Sequence, residues 1–178
     1  MKHLLVLLLF SVSLVFSAAG ESGQAADARV VKLYGNQVNL TALSRAEKIE
    51  AFRIKHTIEN AEDKRRKQIR GYPVLSGPHS LDKNVARNLV RLLQRKSTYD
   101  FERDKGCEMV PGVVVVFTHQ RIKVELVLCF ECDQLEIFVG DKNTGYEDFD
   151  PARPQLVKLV KQIFPKDRAI QALKPMAR

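Results

Sequence analysis

One apolar run constrains this chain more than anything else in it. Residues 107–149 read CEMVPGVVVVFTHQRIKVELVLCFECDQLEIFVGDKNTGYEDF and hold all three cysteines of the protein. Val113 to Phe117 are β-branched or aromatic without a break. Ile122, Val124, Leu126 and Leu128 then alternate with Lys123, Glu125 and Val127, and Leu135, Ile137 and Val139 alternate again. Successive side chains of a strand point to opposite faces, so this period-two pattern predicts half-buried strands. Three such runs in succession predict an antiparallel meander over residues 112–139 as the core of the domain.

The flanking segments supply what would cover that sheet. Ser80 stands ahead of Leu81, Val85, Leu89, Leu92 and Leu93, which predicts a Ser-capped amphipathic helix over about 81–96. Asp150-Pro151 offers a cap and a first-turn proline before Leu156, Val157, Val160, Ile163 and Phe164. That predicts a second helix over about 152–164, ended by Pro165. Lys48 to His56 fits either periodicity, and the alternation of Phe52 and Ile54 with Ala51, Arg53 and Lys55 favours a strand. The charged stretch Asn60 to Arg70 reads as an exposed connection, and Pro73 confines any strand over Tyr72 to Leu75 to an edge. Gly140 to Gly145 reads as a turn. The expected fold is α+β: a single compact domain over 41–178, an antiparallel sheet of about four strands, and two helices on one face.

The N-terminus points to export. Met1-Lys2-His3 is a short positive start, Leu4 to Phe16 an apolar stretch, and Ser17-Ala18-Ala19 a small-residue cleavage site. This is the layout of a signal peptide over residues 1–19, and its apolar part falls short of the ~20 residues a membrane helix needs. Residues 20–40 begin small and polar and are expected to be a flexible leader. The chain is thus expected in the periplasm or secreted, with no membrane span.

Three cysteines in an oxidising compartment suggest one disulfide and one odd thiol. If Cys129-Phe130-Glu131-Cys132 were extended, the two Cα atoms would stand about 10 Å apart, beyond the ~4.4–6.8 Å a disulfide spans. Cys107 is therefore the expected partner of Cys129 or Cys132, the choice between them remaining open. A zinc site built from Cys107, His119, Cys129 and Cys132 is the alternative, but one C-x-x-C is only half of a zinc signature. A redox role is disfavoured because Glu131 and Asp133 flank the pair, and nearby carboxylates oppose thiolate formation. Asp141, Asn143, Gly145 and Glu147 imitate a calcium loop but place Tyr146 where glycine is required. Glu147, Asp148 and Asp150 are read as residues preceding a helix.

A net charge of +8 directs the functional expectation. Lys83, Arg87, Arg91 and Arg95 recur at i+4 spacing on one side of the first helix, and with Lys64, Arg65, Arg66 and Lys67 they would make an anion-binding surface. Nucleic acid is not the expected partner, since export removes the chain from it and no aromatic residues interleave the cations. Ser76 lacks the G-x-S-x-G elbow, and His56 and His79 lack metal-ligand spacing. The expectation is an exported, soluble bacterial envelope protein, a binding or accessory module rather than an enzyme. It would meet an acidic envelope partner or an anionic surface, use structural cysteines and need no cofactor; a zinc- or thiol-dependent protein is the alternative.

Overall fold

The computed structural model describes residues 26–103 and 105–176. The expected signal peptide and the first part of the expected leader lie outside the described residues. Strand β4 (Val113–His119) runs through the middle of the sheet, with β1 (Lys48–Ile54) on one side and β5 (Ile122–Cys129) on the other. Beyond β5 come β6 (Gln134–Val139) and β7 (Lys142–Asp148); beyond β1 come β3 (Tyr72–Ser80) and the two-residue β2 (Gln68–Ile69). Every adjacent pair is antiparallel.

The expected meander is β4-β5-β6, and Lys48–Ile54 is a strand, but the sheet has seven strands rather than about four. Two extra strands come from segments read as turn or short edge. The β6–β7 turn needs only Gly140 and Asp141, so pairing resumes at Lys142. Pro73 and Pro78 both sit in β3, an outer strand whose only further neighbour is β2. Arg70 (φ 54) and Gly71 (φ 82) make the two-residue turn of the β2–β3 hairpin, both in the left-handed region such turns require.

The seven strands curl into a half-barrel. Arg70, at the tip of the β2–β3 hairpin, forms an ion pair with Glu125 on β5 and donates to the Gly140 carbonyl of the β6–β7 turn. One edge of the sheet thus folds back across its own middle. The curl explains the unbroken Val113–Phe117 run. Val113, Val115 and Phe117 face the main core with Leu126, Leu128, Leu135 and Ile137. Val114 and Val116 face a second cluster with Phe52, Ile54, Ile69 and Val127, closed over by Tyr72, Val74 and Phe138. A strand buried on both faces has no use for alternation.

Helices α1 (Ala28–Leu33), α2 (Gln37–Ser44), α4 (Lys83–Leu93) and α5 (Arg153–Ile163) all contribute to the main core on one face of the sheet. Short helices α3 (Ala61–Arg65) and α6 (Arg168–Gln171) complete the set. The leader expected over 20–40 is structured from Ala28: Asp27 and Asn36 cap α1 and α2, and Val30, Tyr34 and Leu40 are buried. Tyr34 and Tyr99 share a buried hydroxyl–hydroxyl hydrogen bond of 3.1 Å, and Tyr99 donates onward to the Leu93 carbonyl. A polar-looking stretch therefore packs, because Val30, Leu33, Tyr34 and Leu40 face inward while Val38 stays exposed.

The first expected helix starts later than Ser80, which still pairs with Glu50 in the sheet. Asp82 caps it instead, accepting from the Asn84 amide at 2.7 Å. The helix stops at Leu93, where Lys96–Thr98 tighten into a 3-10 turn and Thr98 donates to the Leu92 carbonyl. The second starts at Arg153 after a 3-10 turn over Asp150–Ala152; Asp150 makes no cap bond, its carboxylate being held by Lys105. The Asn60–Arg70 connection contains α3 and β2, with Asp63 buried and accepting from Lys55.

Cys107 and Cys132 are joined in a disulfide with Cα atoms 6.2 Å apart, and Cys129 is a buried free thiol. The tight bend for which the sequence offers no Gly or Pro exists nonetheless: residues 130–133 turn between β5 and β6, with Asp133 at φ 58, a conformation Asp tolerates. The disulfide closes a loop of 25 residues, which chain entropy values at about 3.5 kcal/mol. Reduction should lower the urea-unfolding free energy by about that much. A second test concerns Gly145, on which α1 rests: a Cβ there would overlap the Leu33 carbonyl and side chain. Gly145→Ala is expected to cost about 1–3 kcal/mol by the same measurement.

Candidate functional site

Helix α4 presents the candidate site. Its apolar residues Leu89, Val90, Leu92 and Leu93 are buried, which turns Lys83, Arg87 and Arg91 outward; Arg95 lies two residues past the helix end, in extended backbone, and edges the same groove as Arg91. All four are exposed. Arg87 donates to Asn84, and Lys83, Arg91 and Arg95 have no carboxylate within ion-pair distance among the described residues. Each adjacent i,i+4 pair of like charges costs roughly 0.2–0.5 kcal/mol, and no acid on the helix offsets it. Only Arg91 and Arg95, near the helix C-terminus, gain from the dipole.

Two grooves flank the helix. On the α2 side, Leu43, Ala46, Ile49 and Val90 form an apolar floor beside Arg87 and Arg91, in a groove of about 580 Å³. On the α5 side, Arg91, Arg95 and Lys158 edge a smaller one of about 330 Å³. Arg91 stands on the ridge between them. A row of unpaired cations beside apolar surface can hold anions that also carry apolar matter. The second basic cluster does not join this face. Arg66 is paired with Glu62, and Lys67 lies over the ring of Phe52, in the second apolar cluster behind the sheet.

The proposed zinc ligands do not converge. Cys107 and Cys132 are bonded to each other, and Cys129 is enclosed beneath them. His119 ends β4 at the opposite end from Val113, which pairs beside Cys129, a separation of about 20 Å at ~3.4 Å per residue. His119 there faces Glu47 at 3.0 Å. Among the described residues no three His, Cys, Asp or Glu side chains cluster as metal ligands would. Ser76 Oγ does meet His79 Nε2 at 3.2 Å, but the His79 ring packs edge-on against Phe164, and no carboxylate orients it among the described residues.

The acids before α5 gather around cations the chain itself supplies, which sequence reading missed. Arg153 is buried in an ion pair with Asp133 and donates to the Phe130 carbonyl. Lys105 binds Asp150 and the Cys132 carbonyl, the latter at 2.9 Å. The one signal available was Arg153 itself, three residues before Leu156 and hence on the buried side of α5. Asp148 is 1 % exposed and neither of its oxygens has a hydrogen-bond partner, nor has Oε1 of its cross-strand neighbour Gln134. Burial raises the Asp148 carboxyl above its ordinary value, with Asp150 and Asp100 adding to the rise against Gln134 and Lys105. A protonated Asp148 could donate to Gln134, which would satisfy both groups.

Comparison with protein-family models, with curated proteins and with solved structures finds no match for this chain. Its own geometry is therefore the only guide to the site.

The Asp148 shift has a definite sign. With its folded pKa above the unfolded one, the folded protein holds the proton more tightly, so this group's contribution falls as pH rises through that window. Asp148→Asn should accordingly raise the melting temperature at neutral pH. The gain should shrink as pH is lowered toward 3.8, the ordinary value for the group. Thermal scans of both proteins across that range measure it.

Proposed function

We propose that this protein is a non-enzymatic binding or accessory module of the bacterial envelope. It meets an anionic surface through Lys83, Arg87 and Arg91 on α4 and Arg95 just beyond its end. The observation that carries this is the row of like charges: none of the four has a carboxylate partner among the described residues, and the fold accepts their repulsion. The apolar groove floor alongside suits an amphiphilic surface, such as anionic lipid headgroups over acyl chains, better than a free small anion. Among the described residues no helix is long and apolar enough to cross a membrane, which fits contact from one side. The Cys107–Cys132 disulfide fits an oxidising compartment reached by export.

Each cation near an anionic membrane contributes about 1 kcal/mol. Reversing Arg87, Arg91 and Arg95 to Glu should therefore weaken binding to vesicles containing anionic lipid by more than a hundredfold in a sedimentation assay. Purely zwitterionic vesicles should retain neither protein, and raising salt should release the unaltered one. Retention on anionic vesicles unchanged by the three reversals would overturn the proposal and return attention to a protein partner elsewhere on the surface.

A further inference from the structure

The one thiol outside the disulfide lies against the backbone amide of one of the bridged cysteines, Cys132. Cys129 ends β5 with 0 % exposure, and Cys132 follows in the turn with 6 %. Cys129 Sγ accepts from two backbone amides, Val110 at 3.3 Å and Cys132 at 3.4 Å. Val110 belongs to the extended segment that carries Cys107, and Cys132 is the other half of the bridge, so the two amides aimed at this sulfur come from the two segments the disulfide joins. Cys132 Sγ itself lies 3.2 Å from the Glu108 carbonyl, in the same enclosure. Cys107, by contrast, is exposed.

We propose that these three cysteines form a thiol–disulfide exchange site in which Cys129 displaces Cys107 from Cys132. Cys129 attacks Cys132 Sγ as its thiolate, and the proton it gives up ends on the sulfur that leaves. The Cys129–Cys132 bond forms, the Cys107–Cys132 bond breaks, and the electron pair leaves on Cys107 Sγ, which takes up a proton. One disulfide and one thiol exist before and after, so no outside oxidant or reductant is consumed. The product bridge spans positions i and i+3 of a turn, where Cα atoms lie within about 7 Å, compatible with the ~4.4–6.8 Å a disulfide requires. Holding thiol and disulfide together makes the reaction unimolecular, which offsets the burial of the attacking group.

The consequence is a change of surface. In the first pairing Cys129 is hidden and no thiol is accessible. In the second, Cys107 presents an exposed thiol on a segment that has lost its covalent tie to the β5–β6 turn and keeps the Lys105 contacts and the Val110 amide against Cys129. That thiol is the position at which a small disulfide or another thiol-reactive partner would modify the protein. The site stands apart from the α4 face and does not depend on it.

The test is native-state alkylation with N-ethylmaleimide, followed by peptide mapping without reduction. Label is expected to accumulate on Cys107, with the Cys129–Cys132 disulfide appearing in equal amount. In Cys129→Ala, native labelling should fall at least tenfold. Label found on Cys129 with the Cys107–Cys132 bond intact would overturn the proposal, because that pattern means simple local opening. An unlabelled native protein, over a time in which unfolded protein labels fully, would overturn it as well. Mapping the unaltered chain decides the matter whether or not the variant folds.

Discussion

Burial of β4 on both faces is the condition on which the remaining structure depends. A strand sandwiched this way needs cover above and below, and among the described residues α1, α2, α4 and α5 all cover the same side. The sheet supplies the other cover by curling until the β2–β3 hairpin reaches across to β5. The curl carries a cost, since Glu125 enters the enclosed side as a carboxylate only 2 % exposed. Arg70 and Lys123 both pair with it, and a buried charge is tolerable only when compensated in this manner. The hairpin latch and the second apolar cluster are thus two halves of one solution.

The described residues between the 3-10 turn Lys96–Thr98 and β4 form no helix or strand, and the segment is fastened by other means. The disulfide holds it to the β5–β6 turn, and Lys105 holds it to Asp150. Arg153 ties the same turn to the start of α5 through Asp133. Covalent and ionic restraints therefore converge on residues 129–133, and the free thiol sits among them. A chain that places its only thiol where its only disulfide is anchored has brought together the ingredients of exchange.

The basic face of α4 differs in kind from these internal charges. Among the described residues the one buried cation, Arg153, has its carboxylate in Asp133. On α4 the cations are left to solvent beside an apolar groove. Their arrangement follows from helix geometry alone: once Leu89, Val90, Leu92 and Leu93 turn inward, residues spaced by four must share an outer side.

Local periodicity determined part of this structure from the residues alone. The i+4 row on α4, the β4-β5-β6 meander and the strand over Lys48–Ile54 follow from local periodicity, which needs no knowledge of distant neighbours. Cys107 takes part in the bridge as expected, but the premise behind that expectation fails: Cys129 to Cys132 is bent into the β5–β6 turn rather than extended, so the pairing was decided by the fold. Tertiary structure alone decided the rest. Whether the Val113–Phe117 run is covered on one face or two depends on where the sheet edge curls. Whether Asp148 and Asp150 cap a helix or surround Lys105 depends on a residue more than 40 positions earlier. The order of residues 28–40 depends on Tyr34 meeting Tyr99. Pairings at such separations are set by packing and charge compensation across the whole chain, and no window of sequence contains both partners.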